Sequence, residues 1–349
     1  MKHTNFPLLL LFLSLYSLSS CSSKKTVAYQ QMRCPDLYVP DSLNQVVVWN
    51  RAFANNSSKQ LVLNALEGLA SGEAVGQDRQ AAKGAVQGFE ETLIQERKRN
   101  FHHLDTSYGR LGLYDDVPPP LPDTFLGNLA FKGHLLASLE MLDSREYDSY
   151  TESSWNSSIG QDSRNSTGRK VELTAFWRLY DLKTKEVVDV WRFDRNFSTS
   201  TMNQDFGILS RIATPFKNKK MKTQGYRIGS IYAMRICSTM VENKRNIYVK
   251  KNKDMKAAYK LVKKGDWEGA AAIWKKALET NDTKIRGPLL FNLAVYEEQK
   301  GNLANAETRA REAYFLNAFQ PANEYYKWLE NEQKRIKSYE DQKNLPWPN

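Results

Sequence analysis

Four histidines occur in this chain of 349 residues, and they are the first place to look for metal or acid–base chemistry. His102 and His103 are adjacent, with Asp105 close by; His134 stands apart, and His3 lies at the extreme N-terminus. Neighbouring side chains on a strand point to opposite faces, so "HHLD" makes a poor clamp for a metal, whose ligands must converge from one side. Carboxylates gather at Glu67, Glu73 and Asp78 in "EGLASGEAVGQD", where a general acid and a general base could be paired. Polar helix ends around a turn account for the same residues more simply. No G-x-S-x-G elbow, phosphate-binding loop or dinucleotide G-x-G-x-x-G is present. The glycines of "GEAVGQDRQAAKGAVQG" read as helix ends and close packing. The expectation is a non-enzymatic protein with no metal and no cofactor.

The reactive group with the most informative surroundings is the thiol of Cys21. Lys2 precedes an apolar run from Phe6 to Leu18 with no acidic residue, the layout of a secretory leader. The run is too short to cross ~30 Å of hydrocarbon as a helix. Leu18-Ser19-Ser20-Cys21 resembles a bacterial lipobox: an aliphatic residue, two small ones that fit a narrow peptidase cleft, and a cysteine that takes the diacylglycerol. The expectation is a signal peptide over residues 1–20 and lipidation of Cys21, with residues 21–33 as a lipidated tether. No aspartate follows the cysteine and "SSKK" carries no acidic run, which by resemblance to bacterial sorting implies an outer-membrane lipoprotein facing the periplasm rather than the cell surface.

The remaining cysteines, Cys34 and Cys237, are an even pair that an oxidising compartment could bridge, or two separate buried thiols. The net charge of +11 falls to +10 without Lys2. For an exported chain that excess points to anionic envelope components rather than nucleic acid, or to a generally basic surface. Basic clusters lie at Lys217, Lys219, Lys220 and Lys222, and from Lys244 and Arg245 through Lys250, Lys251, Lys253 and Lys256. The second reads as a solvated linker, with an anionic membrane surface as the alternative.

The elements that must position these groups fall into two architectures. Residues 34–246 read as a mixed α/β domain. "QVVVW" (Gln45 to Trp49) is a β-branched run suited to a buried strand. Val62, Leu66, Leu69 and Ala70 fall at helical spacing, and Ala82, Ala85, Val86, Phe89 and Leu93 form a second helical stripe. Pro118-Pro119-Pro120 interrupts regular structure as a rigid connector. Val171, Leu173, Ala175, Trp177 and Leu179 alternate, Asp181 to Glu186 form a polar turn, and Val187 to Phe197 return as a partner strand. Trp177 and Trp191 then lie on a hairpin, packed against a helix or, less simply, gripping a sugar. Ser149 to Gly168 is too polar to bury much. A helix from Gln224 to Asn243, with Ile228, Ile231, Tyr232, Arg235 and Cys237, is expected to close the domain.

Residues 247–349 change period. Gly265 matches Gly301, Ala270 matches Ala306 and Ala277 matches Ala313, all at one spacing. This looks like two tetratricopeptide repeats, with a longer linker before Pro288 and a capping helix after Pro321 carrying Tyr325, Tyr326, Trp328 and Leu329. Such helix pairs must stack to bury their apolar faces. Tyr259, Trp267, Asn292 and Tyr296 are the residues expected on a protein-binding surface.

The order of the lipobox, "VVVWNR" (Val46 to Arg51), "EGLASGE" (Glu67 to Glu73), "WRLYD" (Trp177 to Asp181) and "GDWEGAAAIW" (Gly265 to Trp274) resembles a family of lipoproteins common in Bacteroidota. The resemblance implies the compartment and the two-part architecture but no activity. The α/β part is also similar to domains of envelope-assembly lipoproteins such as the curli secretion channel, a likeness of fold that fixes no function. Together these readings lead to a membrane-tethered scaffold that binds a protein partner through its helical repeats. The alternative is a glycan-binding or glycan-processing lipoprotein associated with outer-membrane uptake, using Trp177 or Trp155.

Overall fold

The computed structural model describes residues 23–52, 77–95, 100–104, 117–151, 166–198, 220–250 and 252–348. Cys21, the leader, the stripe from Val62 to Ala70, Glu67, Glu73, Asp105, Trp155, Lys217, Lys219 and Lys251 lie outside them. The chain divides into two compact units. One comprises Met32–Val241 and Arg335–Asn349, the other Met1–Gln31 and Glu242–Lys334. Both expected boundaries shift accordingly: the segment read as a tether joins the helical part, and the last residues join the sheet part.

The sheet unit is built on a mixed five-stranded sheet. β2 (Gln45–Asn50), β3 (Asn100–His103), β4 (Leu135–Thr151), β5 (Ser166–Asp181) and β6 (Val187–Ser198) lie in the order β3-β2-β4-β5-β6. β2 runs parallel to both β3 and β4, and β4, β5 and β6 form an antiparallel meander. The parallel strand β2 has its four central residues Val46, Val47, Val48 and Trp49 buried, as a strand covered on both faces requires. Trp177 and Trp191 are direct cross-strand partners.

Two helices, α1 (Gln77–Gln95) and α3 (Lys220–Ile236), are tied to one face of this sheet by a shared core. Ala82, Ala85, Val86, Phe89 and Leu93 of α1 pack with Leu173, Ala175, Trp177 and Leu179 of β5 and with Ile228 and Tyr232 of α3. Trp177 stacks on Phe89 at 5.3 Å and on Tyr232 at 4.9 Å, and is fully buried. It is therefore closed to a sugar, which corrects that part of the glycan reading. The two helices approach backbone to backbone. A Cβ on Gly88 would stand 1.9 Å from the Tyr226 carbonyl oxygen, and one on Gly229 would stand 1.7 Å from that of Ala85. Thr92 and Ser230 both donate hydroxyl hydrogen bonds to the Gly88 carbonyl, at 2.7 and 3.1 Å.

The opposite face carries a second core of Val47, Trp49, Leu136, Tyr180 and Leu182, covered by Leu121, Leu126 and Leu129. Leu126 belongs to the one-turn helix α2 (Asp123–Gly127) that follows the proline run.

The helical unit opens with β1 (Lys24–Arg33), which pairs with β7 (Thr239–Tyr248) in a two-stranded sheet. The expected tether is thus largely a strand. Val27 and Tyr29 are buried between exposed Thr26, Ala28 and Gln30, a period of two. The helix expected to reach Asn243 ends at Ile236, because Thr239, Val241 and Asn243 take up the alternating burial of β7. Five helices follow: α4 (Lys253–Val262), α5 (Trp267–Ala277), α6 (Thr283–Gln299), α7 (Leu303–Asn317) and α8 (Gln320–Lys343). Helix α6 begins before Pro288, so this proline lies inside a helix and not after a linker.

The turns joining α4 to α5 and α6 to α7 are alike. Gly265 and Gly301 have φ of 83° and 81°, the left-handed region that suits glycine at a helix end. The next residue caps the following helix: Asp266 accepts from the Gly269 amide at 2.8 Å, and Asn302 from the Asn305 amide at 3.3 Å. Small residues Ala270, Ala271, Ala306, Ala310 and Ala313 are buried between the helices, with Trp274 fully buried beside them.

Candidate functional site

Four side chains were expected on a binding surface of the helical unit, and the structure separates them. Asn292 is fully buried. Its Oδ1 accepts from the Tyr248 amide and its Nδ2 donates to the Tyr248 carbonyl, both at 2.8 Å. The side chain replaces a strand partner at the end of β7, and its full burial keeps it from a ligand. Tyr296 is also buried; its hydroxyl donates to the Glu268 carboxylate and accepts from Lys300 Nζ at 3.3 Å. Burial, with the Glu268 contact, raises the Tyr296 pKa, and hydrogen bonds to Glu268 and Tyr296 push that of Lys300 up to about 12. Tyr259 and Trp267 are half-buried against the helical core. Trp267 meets Tyr29 of β1 edge-on at 5.9 Å. The structure also exposes Phe315 of α7, at 71 %, which patterning of the repeats passes over.

The helical unit hides a polar knot. Glu298 of α6 is fully buried, and Arg245 of β7 grips it in a fork: Nη2 to Oε1 at 2.6 Å and Nε to Oε2 at 2.8 Å. The Tyr325 hydroxyl also donates to Glu298 Oε2. The guanidinium lies against the Trp328 ring, 4.4 Å from its centre. The carboxylate raises the pKa of Arg245 despite its burial. Gln31 Nε2 donates to the Glu298 carbonyl at 3.0 Å, and Gln31 Oε1 accepts from Asn243 Nδ2 at 2.7 Å. This network fastens the β1–β7 ribbon to α6 and α8.

A second buried carboxylate, Glu140, occupies the sheet unit. Leu139 pairs with Trp177 but Met141 with Phe176, so Glu140 is the extra residue of a bulge. The bulge shifts the core positions of β4 from Leu135, Ala137 and Leu139 to Leu142, and bulges commonly re-aim a side chain near a site. Glu140 Oε2 accepts from Arg51 Nη1 at 2.6 Å, and Oε1 accepts from the Tyr180 hydroxyl at 3.0 Å, with Arg178 at 3.8 Å. The same two arginines donate to the proline run, Arg178 to Pro118 O at 2.7 Å and Arg51 to Pro119 O at 3.0 Å. Proline carbonyls have no helix or sheet donor to satisfy them here, so the arginines fix the connector against the sheet. Burial raises the Glu140 pKa more than Arg51 lowers it. Burial beside this carboxylate pushes the Tyr180 hydroxyl up to about 12.

Two polar atoms near this cluster lack partners among the described residues: Trp49 Nε1 and Ser138 Oγ. Trp49 and Ser138 are register partners across β2 and β4. An unmet buried donor costs about 1–3 kcal/mol; Trp177 Nε1, in the helix-covered core, is likewise without a partner among the described residues. Glu140 was missed in the sequence, although a lone carboxylate in the apolar run "LLASLEML" was a visible signal.

The other expected residues are dispersed. Asp78 is buried in the first turn of α1 and accepts from the Ser144 hydroxyl of β4, which ties the helix start to the sheet. His102 is exposed, and no group of three metal-ligating side chains occurs among the described residues. The structure does not join Cys34 and Cys237; both are thiols. Cys237 Sγ, just past the end of α3, turns back to the Ala233 carbonyl of that helix at 3.0 Å. Burial raises the Cys34 pKa. Of the basic cluster expected on a linker, Lys244 and Arg245 lie on β7, Lys250 lies between β7 and α4, and Lys253 and Lys256 lie on α4. No helix among the described residues is long and apolar enough to cross a membrane.

The model of a domain of unknown function (DUF6340) matches residues 256–342, from α4 to α8. Its description names neither a lipoprotein nor a repeat family, so it reaches less far than the resemblance drawn from motifs. A comparison with curated proteins finds no match to the chain.

Proposed function

We propose that this protein is an outer-membrane lipoprotein, tethered through Cys21 on the periplasmic side, that binds a protein partner with its helical unit and catalyses no reaction. The observation that carries the reading is the recurrence of one turn in that unit. A left-handed glycine followed by a capping side chain appears at Gly265-Asp266 and again at Gly301-Asn302, with buried alanines after each. Tetratricopeptide-like stacks are built this way and work through their surfaces. Glu140 and Glu298 are both engaged by arginine and tyrosine, and neither is paired with a nucleophile among the described residues.

Of the surface aromatics, Phe315 and the half-buried Trp267 offer the contact, since Asn292 and Tyr296 are committed inside. In-cell photo-crosslinking from position 315 or 267, read by mass spectrometry, should trap one recurrent protein. Crosslinks only to lipid, or none, would remove partner binding from the account. Mass spectrometry of the N-terminal peptide should show an acylated cysteine as the first residue. A chain that starts elsewhere and fractionates away from membranes would remove the tether.

A further inference from the structure

Helix α4 has two unlike faces. Met255, Ala258 and Val262 are buried. Lys253, Lys256 and Lys260, with Lys263 and Lys264 just beyond the helix end, are all exposed. At about 100° per residue these five lysines fall within an arc of roughly 100°, opposite the buried side. No acidic residue lies in that arc; Asp254 falls outside it. None of the five forms an ion pair with the described residues. Clustered like charges repel, and an isolated helix gains nothing from them, so the arrangement asks for an anionic counterpart.

The fold places the residues that lead into this helix beside Ser23. The Val249 amide donates to the Ser23 carbonyl at 2.9 Å, four residues before α4 begins, and Lys24 Nζ sits over the Tyr248 ring at 5.2 Å. Cys21 stands two residues ahead of Ser23, at most about 7 Å of chain. We infer that the lysine face of α4, with Lys24 and Lys25, docks onto an anionic phospholipid bilayer immediately beside the acyl anchor. This rests on the tether proposed above, and it specifies what that reading leaves open: which side of the helical unit faces the membrane. An acyl chain and a polybasic patch act together as two signals, each weak alone. The opposite surface is then left open for a partner.

The test uses the full chain as isolated from cells, with the N-terminal acyl group scored by mass spectrometry. The protein is bound to vesicles of phosphatidylcholine alone or with one-third phosphatidylglycerol, and lysines are footprinted with an amine-reactive ester. Lys256, Lys260, Lys263 and Lys264 should be labelled at least about fivefold more slowly on the anionic vesicles. The protection should vanish in 0.5 M salt, where screening acts over only a few ångströms. Changing all four to glutamine should cut the salt-sensitive part of binding by about tenfold or more while leaving circular dichroism unchanged. An acylated protein whose four lysines are labelled alike on both vesicles overturns the inference and leaves the tether standing. An unacylated protein that still shows lysine-dependent binding to anionic vesicles overturns the tether and leaves the docking face standing. Equal protection by soluble polyphosphate without vesicles also overturns the inference, assigning the face to dissolved polyanions.

Discussion

Each unit of this protein buries a glutamate against arginine and tyrosine, and the two sites are built differently. Glu298 in the helical unit meets Arg245 through two direct bonds and Tyr325 through a third, so both oxygens are occupied at close range. Glu140 in the sheet unit has one close arginine, Arg51, one tyrosine, and a second arginine at 3.8 Å that is already spent on a proline carbonyl. Burial leaves Glu140 with a raised pKa, and unpartnered Trp49 and Ser138 share its sheet face. A forked arginine can repay the desolvation of a carboxylate; a single contact repays less. The first site is a structural rivet. The second is a clamp for the proline run with polar capacity to spare.

The largest expected effect is at the rivet. Glu298→Ala should lower unfolding free energy by about 3–5 kcal/mol, because Arg245 is left buried without its partner. Urea titration of the two variants side by side measures it, and a loss below that of any Glu140 variant would reverse the ranking. Asn292→Ala should cost about 2–3 kcal/mol, since a buried amide and a buried carbonyl of Tyr248 both lose their partner. Slowed hydrogen exchange at the Tyr248 amide should disappear with it, whereas retention would show the clamp to be redundant.

Glu140→Gln should cost less, about 1–2 kcal/mol at neutral pH, and its signature is the pH dependence. A carboxyl whose folded pKa is raised stabilises the fold fully below its ordinary value of about 4.5 and loses that contribution as pH rises through the folded value. The variant should therefore be disadvantaged most near pH 4 and least at neutral pH. A difference that stays flat from pH 4 to 7 would show that Arg51 and Arg178 neutralise Glu140 completely. The smallest effect, with the opposite sign, belongs to Ser138→Ala. Removing a buried hydroxyl without a partner should leave stability unchanged or raise it by up to about 1 kcal/mol. A loss larger than that in the melting profile would reveal a partner for this hydroxyl.

Where a signal is local, it could be read along the chain. β2, the hairpin of β5 and β6 with its paired tryptophans, and the apolar stripe of α1 follow from alternation or helical spacing within a few residues. The turns at Gly265 and Gly301 follow from a repeated glycine. β1 carries a period of two in Val27 and Tyr29, but its polar neighbours read as linker sequence, so the segment resembles a tether until its pairing with β7 is seen. The start of β7, as far as Asn243, reads as the end of a helix because "ENKR" suits either state, and pairing with β1 decides between them. Asn292 was placed on a surface because such residues are usually exposed; its burial depends on the end of β7, more than forty positions away.

Residue order alone therefore determined the two architectures and the repeated turn, since each is a pattern of neighbours. Tertiary structure alone decided that Glu140 and Glu298 are buried, that Cys34 and Cys237 stay unbridged, that Trp177 faces helices, and that the lysines of α4 begin beside Ser23. The physical reason is range. Backbone preference and hydrophobic period act over a few residues, whereas ion pairs, stacking and burial join side chains whose separation in sequence carries no trace of their meeting.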